Sequence, residues 1–218
     1  MPRIIDVLLS ILALLVLLPL FIPIVVILLL TGEHKVFYLQ TRVGYKNKDF
    51  KIIKFATMLS NSANMGSGSL TLKNDPRVLP FGSFLRKTKI NELPQILNII
   101  IGDLSIVGPR PQMQVDFEKY SDGVQGKIYN VRPGLTGIGS IIFRDEESII
   151  SLAAENENPH DFYKRVISPY KGELEMWYHS HRSVFLDFQL IFLTAWAIVA
   201  PETRLYEKWF KDLPKRKF

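Results

Sequence analysis

The chain has 218 residues, 47% of them hydrophobic and 22% charged, with a formal net charge of +6 and a sequence pI near 9.4. That supplies one ordinary domain with a real core plus a membrane element, and it is too apolar for a disordered chain. The lack of cysteine excludes disulfides, thiolate metal sites and a thiol nucleophile. The basic balance suits anionic lipid head groups or phosphorylated substrates, and no strand-and-aromatic signature or helix-turn-helix pattern argues for nucleic acid.

Residues 7–30 contain no charge. A straight helix over this run reaches roughly 36 Å at about 1.5 Å per residue, enough to cross a hydrocarbon core of about 30 Å. The run is longer than a signal-peptide core and no small-residue cleavage site follows, so it is expected to stay attached. Pro19 and Pro23 divide it, each removing a backbone donor. The stretch before Pro19 covers only about half a bilayer, so a helix that enters, turns and leaves by one face fits the geometry as well as a spanning helix does. Lys35, Arg42, Lys46, Lys48, Lys51 and Lys54 follow, and the positive-inside tendency assigns the globular part to the cytoplasm.

Residues 36–40 and 50–55 mix β-branched, aromatic and polar side chains around a turn-prone segment, which predicts two short strands. Residues 61–69, rich in Ser, Asn and Gly, predict a mobile loop. Residues 84–101 predict a helix interrupted by Pro94, and helices are expected over residues 145–157 and 159–181. Residues 185–200 form an apolar stretch too short for a confident span. At the end, Leu205, Tyr206, Trp209, Phe210 and Leu213 share one helical face among Lys208, Lys211, Lys215, Arg216 and Lys217, as in a helix lying at a membrane interface.

Arginines in constrained settings are the first candidates for chemistry. Pro109 and Pro111 restrict the backbone on both sides of Arg110, Arg132 sits in a Pro-Gly turn, and Arg86 stands at a charged approach to an apolar helix. A guanidinium forks onto phosphate oxygens, so the three together predict a phosphate site. Glu92 and Asp103 are candidates for Mg2+ or proton transfer. Asp145, Glu146 and Glu147 form an acidic triplet whose ordinary explanation is a solvated helix start. His179 and His181 fall on different helical faces and do not make a metal site.

Residues 87–111, KTKINELPQILNIIIGDLSIVGPRP, resemble the bacterial sugar transferase family, the monotopic polyprenyl-phosphate phosphoglycosyl transferases. The resemblance extends in order through FYLQTRVG at 37–44, FKIIKFATM at 50–58, NDPR at 74–77, FGSFLRK at 81–87 and VRPGLTG at 131–137, covering residues 1 to about 145. It implies an α+β, membrane-associated fold. The expected parts are a re-entrant helix hairpin broken at Pro19 and Pro23 over residues 1–33, a small cytoplasmic catalytic domain with short strands over 34–182, and interfacial helices with a basic tail over 183–218. It further implies a UDP-sugar and polyprenyl phosphate as substrates, Mg2+ as cofactor, membrane lipids as partners, no nucleic acid, a homodimer as a candidate assembly, and the inner face of a bacterial cytoplasmic membrane.

In that family an Asp-Glu pair opens the ELPQ helix and the aspartate attacks the sugar-proximal phosphate, forming a covalent intermediate. Here the pair is Asn91-Glu92, and an amide cannot attack phosphorus as a carboxylate does. Further departures are Leu18, Ala56, Ser140 and the FRDEE segment at 143–147. The resemblance implies transfer of a sugar-1-phosphate to undecaprenyl phosphate, the first membrane step of polysaccharide or glycoconjugate assembly. Either Glu92 or a carboxylate of the FRDEE segment, Asp145 or Glu146, replaces the lost aspartate, or transfer is direct. The alternative is a non-catalytic binding or partner protein of a glycan assembly complex.

Overall fold

The uncharged run contains no glycine to end a helix. In the structure, a computed structural model that describes residues 1–66, 68–200 and 203–218, it lies in one helix, α1 (Arg3–Leu30). The expected two arms are not separated by a gap, because every residue through Pro19 and Pro23 is helical. Each proline withholds one N–H, and the apolar neighbours offer no polar group to compete for the remaining backbone bonds. Of the most apolar 18-residue stretch of α1 only 17% is buried, which is not how a core helix is covered.

Both ends of α1 nonetheless touch the same body. Near the start, the Asp6 carboxylate accepts from the Ser105 hydroxyl (2.8 Å) and the Ile106 N–H (3.0 Å), and Arg3 donates to the Leu104 and Ile100 carbonyls (3.2 and 3.0 Å). Nearer the end, Phe21, Ile24 and Leu28 pack with Phe55 and Leu85. Between them Leu12, Leu15, Val16 and Leu18 are exposed.

The two expected strands form an antiparallel hairpin, β1 (Phe37–Val43) and β2 (Asp49–Phe55), with Phe37 opposite Phe55 and Val43 opposite Asp49. The loop over residues 61–69, whose Ser67 lies outside the described residues, is organised rather than loose. The buried Arg77 donates to the carbonyls of Ser62, Met65, Gly68 and Leu70 at 2.7–2.9 Å while pairing with Asp75. A guanidinium has five donors in a fixed fork, enough to gather these carbonyls around one charge.

The helical stretch before the Pro-Arg-Pro segment divides earlier than Pro94. Helix α2 (Pro80–Lys87) ends, Lys89 takes the left-handed conformation at φ 60°, and a short turn (Ile90–Glu92) leads to α3 (Gln95–Ile101). Pro94 caps α3 instead of breaking it, since proline at a helix start loses no needed donor. Strands β3 (Ser105–Val107) and β4 (Gly134–Thr136) pair in parallel. They bring the two Pro- and Gly-bearing arginine turns side by side so closely that a Cβ on Gly134 would lie 2.1 Å from the Gly108 nitrogen.

The C-terminal half supplies most of the core. Helices α4 (Glu146–Ala153), α5 (Ser168–His181) and α6 (Val184–Val199) surround a cluster that includes Ile138, Ile167, Leu174, Tyr178 and Leu190. Helix α6 turns Leu186, Leu190 and Leu193 inward and leaves Phe185, Phe188 and Phe192 exposed. The tail departs from expectation, since α7 (Leu205–Trp209) has only five residues, and Leu205, Tyr206, Phe210 and Leu213 pack on the domain core while Trp209 stays exposed. Phe210 packs on Trp177, ring centroids 5.2 Å apart, and the Trp177 indole N–H donates to Asp212 at 2.9 Å.

Candidate active site

Arg110 is held as its two prolines require. The Tyr129 hydroxyl donates to its carbonyl (2.8 Å) and accepts from the Gln112 N–H (2.9 Å), closing the segment from behind. The guanidinium then forks onto Glu92, at 2.8 and 3.4 Å. Lys54, on β2, reaches the same carboxylate at 3.4 Å. These groups line a cavity of about 550 Å³. Arg86 lies there at the end of α2, paired with Glu147 of α4, and Lys89 and Arg42 also face it. Among the cavity-lining residues on this side the cations Arg110, Lys54, Arg86, Lys89 and Arg42 outnumber the acids Glu92, Glu147 and Asp116.

Electrostatics sharpen the picture. Burial alone would raise the Glu92 carboxyl, but Arg110 and Lys54 outweigh it and hold it well below the usual carboxylate range. Burial pushes the Lys54 ammonium down to about 7 against the pull of Glu92, with Arg42 and Arg110 adding repulsion. Glu92 in turn raises Arg110. Asn91 is buried beside Glu92, and its side-chain oxygen has no protein partner.

On the other side of Arg110 the character changes. Its backbone N–H points to Glu175 Oε1 at 3.4 Å, and the second Glu175 oxygen, like the Ser140 hydroxyl, is buried without a partner. Lys171 pairs with Glu146 at 2.6 Å and donates to the Tyr163 hydroxyl at 3.2 Å. Burial pushes Glu175 up to about 7. Burial also opposes the charge on Lys171, yet Glu146 and Tyr163 push that ammonium up to about 12. All of these residues line the cavity.

Of the residues singled out from sequence, Asn91, Glu92, Arg86, Arg110, Glu146 and Glu147 therefore meet at one cavity. Three do not. Arg132 donates to the Gly102 carbonyl (2.9 Å) and lies over the Tyr45 ring, because its turn directs the side chain outward. Asp103 follows the left-handed Gly102 and folds back to accept from the Asn98 amide (3.3 Å), away from Glu92. Asp145 pairs with Arg216 at 3.6 Å and is not among the cavity residues. Lys54, Lys171 and Glu175 were missed. Lys171 and Glu175 share a helical face with Leu174 and Tyr178, and charges set within an apolar stripe were the available signal.

The profile of the family described as bacterial sugar transferase matches residues 1–201. The chain belongs to that family. Exopolysaccharide production protein ExoY of Sinorhizobium fredii is 39% identical over 163 residues, 68% of this chain and 72% of that protein. The UDP-glucose:undecaprenyl-phosphate glucose-1-phosphate transferase of Klebsiella pneumoniae is 32% identical over 194 residues, 88% of this chain and 38% of that protein. The UDP-N-acetylgalactosamine-undecaprenyl-phosphate N-acetylgalactosaminephosphotransferase of Aeromonas hydrophila is 31% identical over 191 residues, 87% of this chain and 41% of that protein. This bacterial sugar transferase thus presents, beside an apolar helix, a buried cationic cavity of the kind that binds phosphate groups.

Proposed function

We propose that the protein transfers a sugar-1-phosphate from a UDP-sugar to undecaprenyl phosphate at the inner face of a bacterial cytoplasmic membrane. The carrying observation is the cluster of Arg110, Lys54, Arg86 and Lys89 around Glu92 in one cavity, a cationic surplus matched to a pyrophosphate. The relatives' names support the donor and acceptor classes but differ in the sugar. α1 acts as a re-entrant element, since one face of it is fixed to the body near both ends while apolar side chains along its other face stay exposed.

Because Asn91 offers no carboxylate, transfer is direct. An oxygen of undecaprenyl phosphate attacks the sugar-bearing phosphorus in line, the bond from that phosphorus to the bridging oxygen breaks, and UMP leaves with the electron pair. Phosphoryl transfer of this kind depends on positioning and charge neutralisation more than on covalent help. Arg110, Arg86 and Lys54 neutralise the phosphate oxygens. Glu92, held as an anion, is a poor proton acceptor at neutral pH and instead orients Arg110 and Lys54.

Among the described residues no group of three or more His, Asp or Glu is arranged for a metal, so magnesium would arrive with the pyrophosphate rather than reside in the protein. One carboxylate plus substrate oxygens suits that ion. Glu92 and the unpartnered Asn91 oxygen are the donors that fit it, and the ion would add positive charge at the transferring group.

Purified protein incubated with UDP-sugars, magnesium and undecaprenyl phosphate should release UMP only when both substrates are present, and intact-protein mass spectrometry should find no phosphosugar adduct at residue 91. UMP release without acceptor, with an adduct mapped there, would overturn direct transfer. Asn91 also favours a second reading, a non-catalytic binding protein, for which UDP-sugar binding without any UMP release is the expected result.

A further inference from the structure

The cavity's cationic side accounts for phosphates, and the other side of Arg110 is built differently. Ser140 and Glu175 each carry a buried oxygen with no partner in the chain, and Glu175 itself is 3% exposed. Such groups are destabilising unless something bonds them. Alongside, Lys171 and Glu146 form a close ion pair; the ammonium spends two of its three N–H donors on Glu146 and Tyr163 and keeps one, and the carboxylate keeps lone pairs. Arg144 also lines the cavity, but Lys171 is spent on Glu146 and Glu175 adds a second acid beside it, so this part offers paired groups where the cationic side offers a surplus for phosphate. It mixes donors and acceptors, which is the complement of vicinal hydroxyls, since each hydroxyl donates once and accepts twice.

We infer that Ser140, Glu146, Lys171 and Glu175 form the pocket that receives the sugar of the activated donor, and that it selects a neutral, hydroxyl-rich sugar over an acidic one. The inference rests on the transfer proposed above. Arg110 joins the two halves, its side chain on Glu92 and its backbone N–H on Glu175, so a sugar seated here has its phosphate delivered to the cationic side. Burial keeps Glu175 near 7, and at neutral pH it both donates and accepts hydrogen bonds. A uronic acid would bring a carboxylate against Glu146, and Lys171 is already occupied by that residue.

The test separates sugar from nucleotide. Binding of UDP, UDP-glucose, UDP-galactose, UDP-N-acetylglucosamine and UDP-glucuronate is measured by calorimetry on the full chain in detergent, independently of turnover. Wild-type protein should bind at least one neutral UDP-sugar at least tenfold more tightly than UDP-glucuronate. Glu146→Gln should weaken the preferred neutral UDP-sugar tenfold or more, change UDP less than twofold, and narrow the margin against UDP-glucuronate by leaving Lys171 free to pair with it. Ser140→Ala, which disturbs no ion pair, should weaken the neutral UDP-sugar threefold or more and leave UDP unchanged. Equal weakening of UDP and UDP-sugar, or no weakening of either, overturns the pocket. UDP-sugar binding with this pattern but without UMP release would keep the pocket and overturn the transfer.

Discussion

Asn91 and Glu92 are neighbours in sequence and differ in what they can do to a phosphate. Glu92 is the anion on which Arg110 and Lys54 converge, so Glu92→Gln should lower UMP release about a hundredfold, equivalent to about 2.7 kcal/mol of transition-state stabilisation. Asn91→Ala, which removes an uncharged oxygen, should cost less than tenfold, and equal losses in parallel assays would refute these separate roles. Burial pushes the Lys54 ammonium down to about 7, and it binds phosphate only when charged. The kcat/KM for the UDP-sugar should therefore fall as pH rises through about 7, and Lys54→Arg should remove that fall. Arg110 was legible in the sequence because flanking prolines restrict a backbone whatever surrounds it. Arg132 was not, because a Pro-Gly turn fixes the path of the chain without saying where the side chain points. Ser140 stood out only as a departure from the family pattern and Glu146 only as one of an acidic triplet, because Lys171, which pairs with Glu146, lies on α5, far along the chain.

Elements were legible in proportion to how local their causes are. The β1–β2 hairpin follows from two alternating runs around a turn, and β3 could be anticipated only as a lead into the prolines, since its partner β4 lies a long loop away. That pairing depends on Gly108 and Gly134, so Gly134→Ala should destabilise the fold by at least the 1–3 kcal/mol typical of overpacking, read as a lower Tm with loss of UMP release. For α1, cysteines placed at positions 2 and 48 should both resist an impermeant reagent applied outside intact cells. Labelling at position 2 alone would mean a spanning helix and sink the re-entrant proposal.

The molecule as a whole carries charges in its interior, and these set how its stability varies with pH. Glu175 has its folded pKa raised from 4.5 to about 7, so the unfolded chain releases this proton first as pH rises. Stability is then full below 4.5 and falls by on the order of 3 kcal/mol as pH climbs to about 7. Glu175→Gln should flatten that fall in urea titrations run at several pH values, and an unchanged slope would place the titration elsewhere. The tethering of both ends of α1 to one body has a mechanical consequence. On the re-entrant reading proposed above, an apolar mass that enters and leaves by one side would widen a single leaflet and leave the opposite one unstretched, and the protein would act as a wedge. Wedges settle where outer-leaflet packing is already strained, and in flotation experiments the protein should partition more strongly onto small sonicated vesicles than onto large extruded ones of the same lipid.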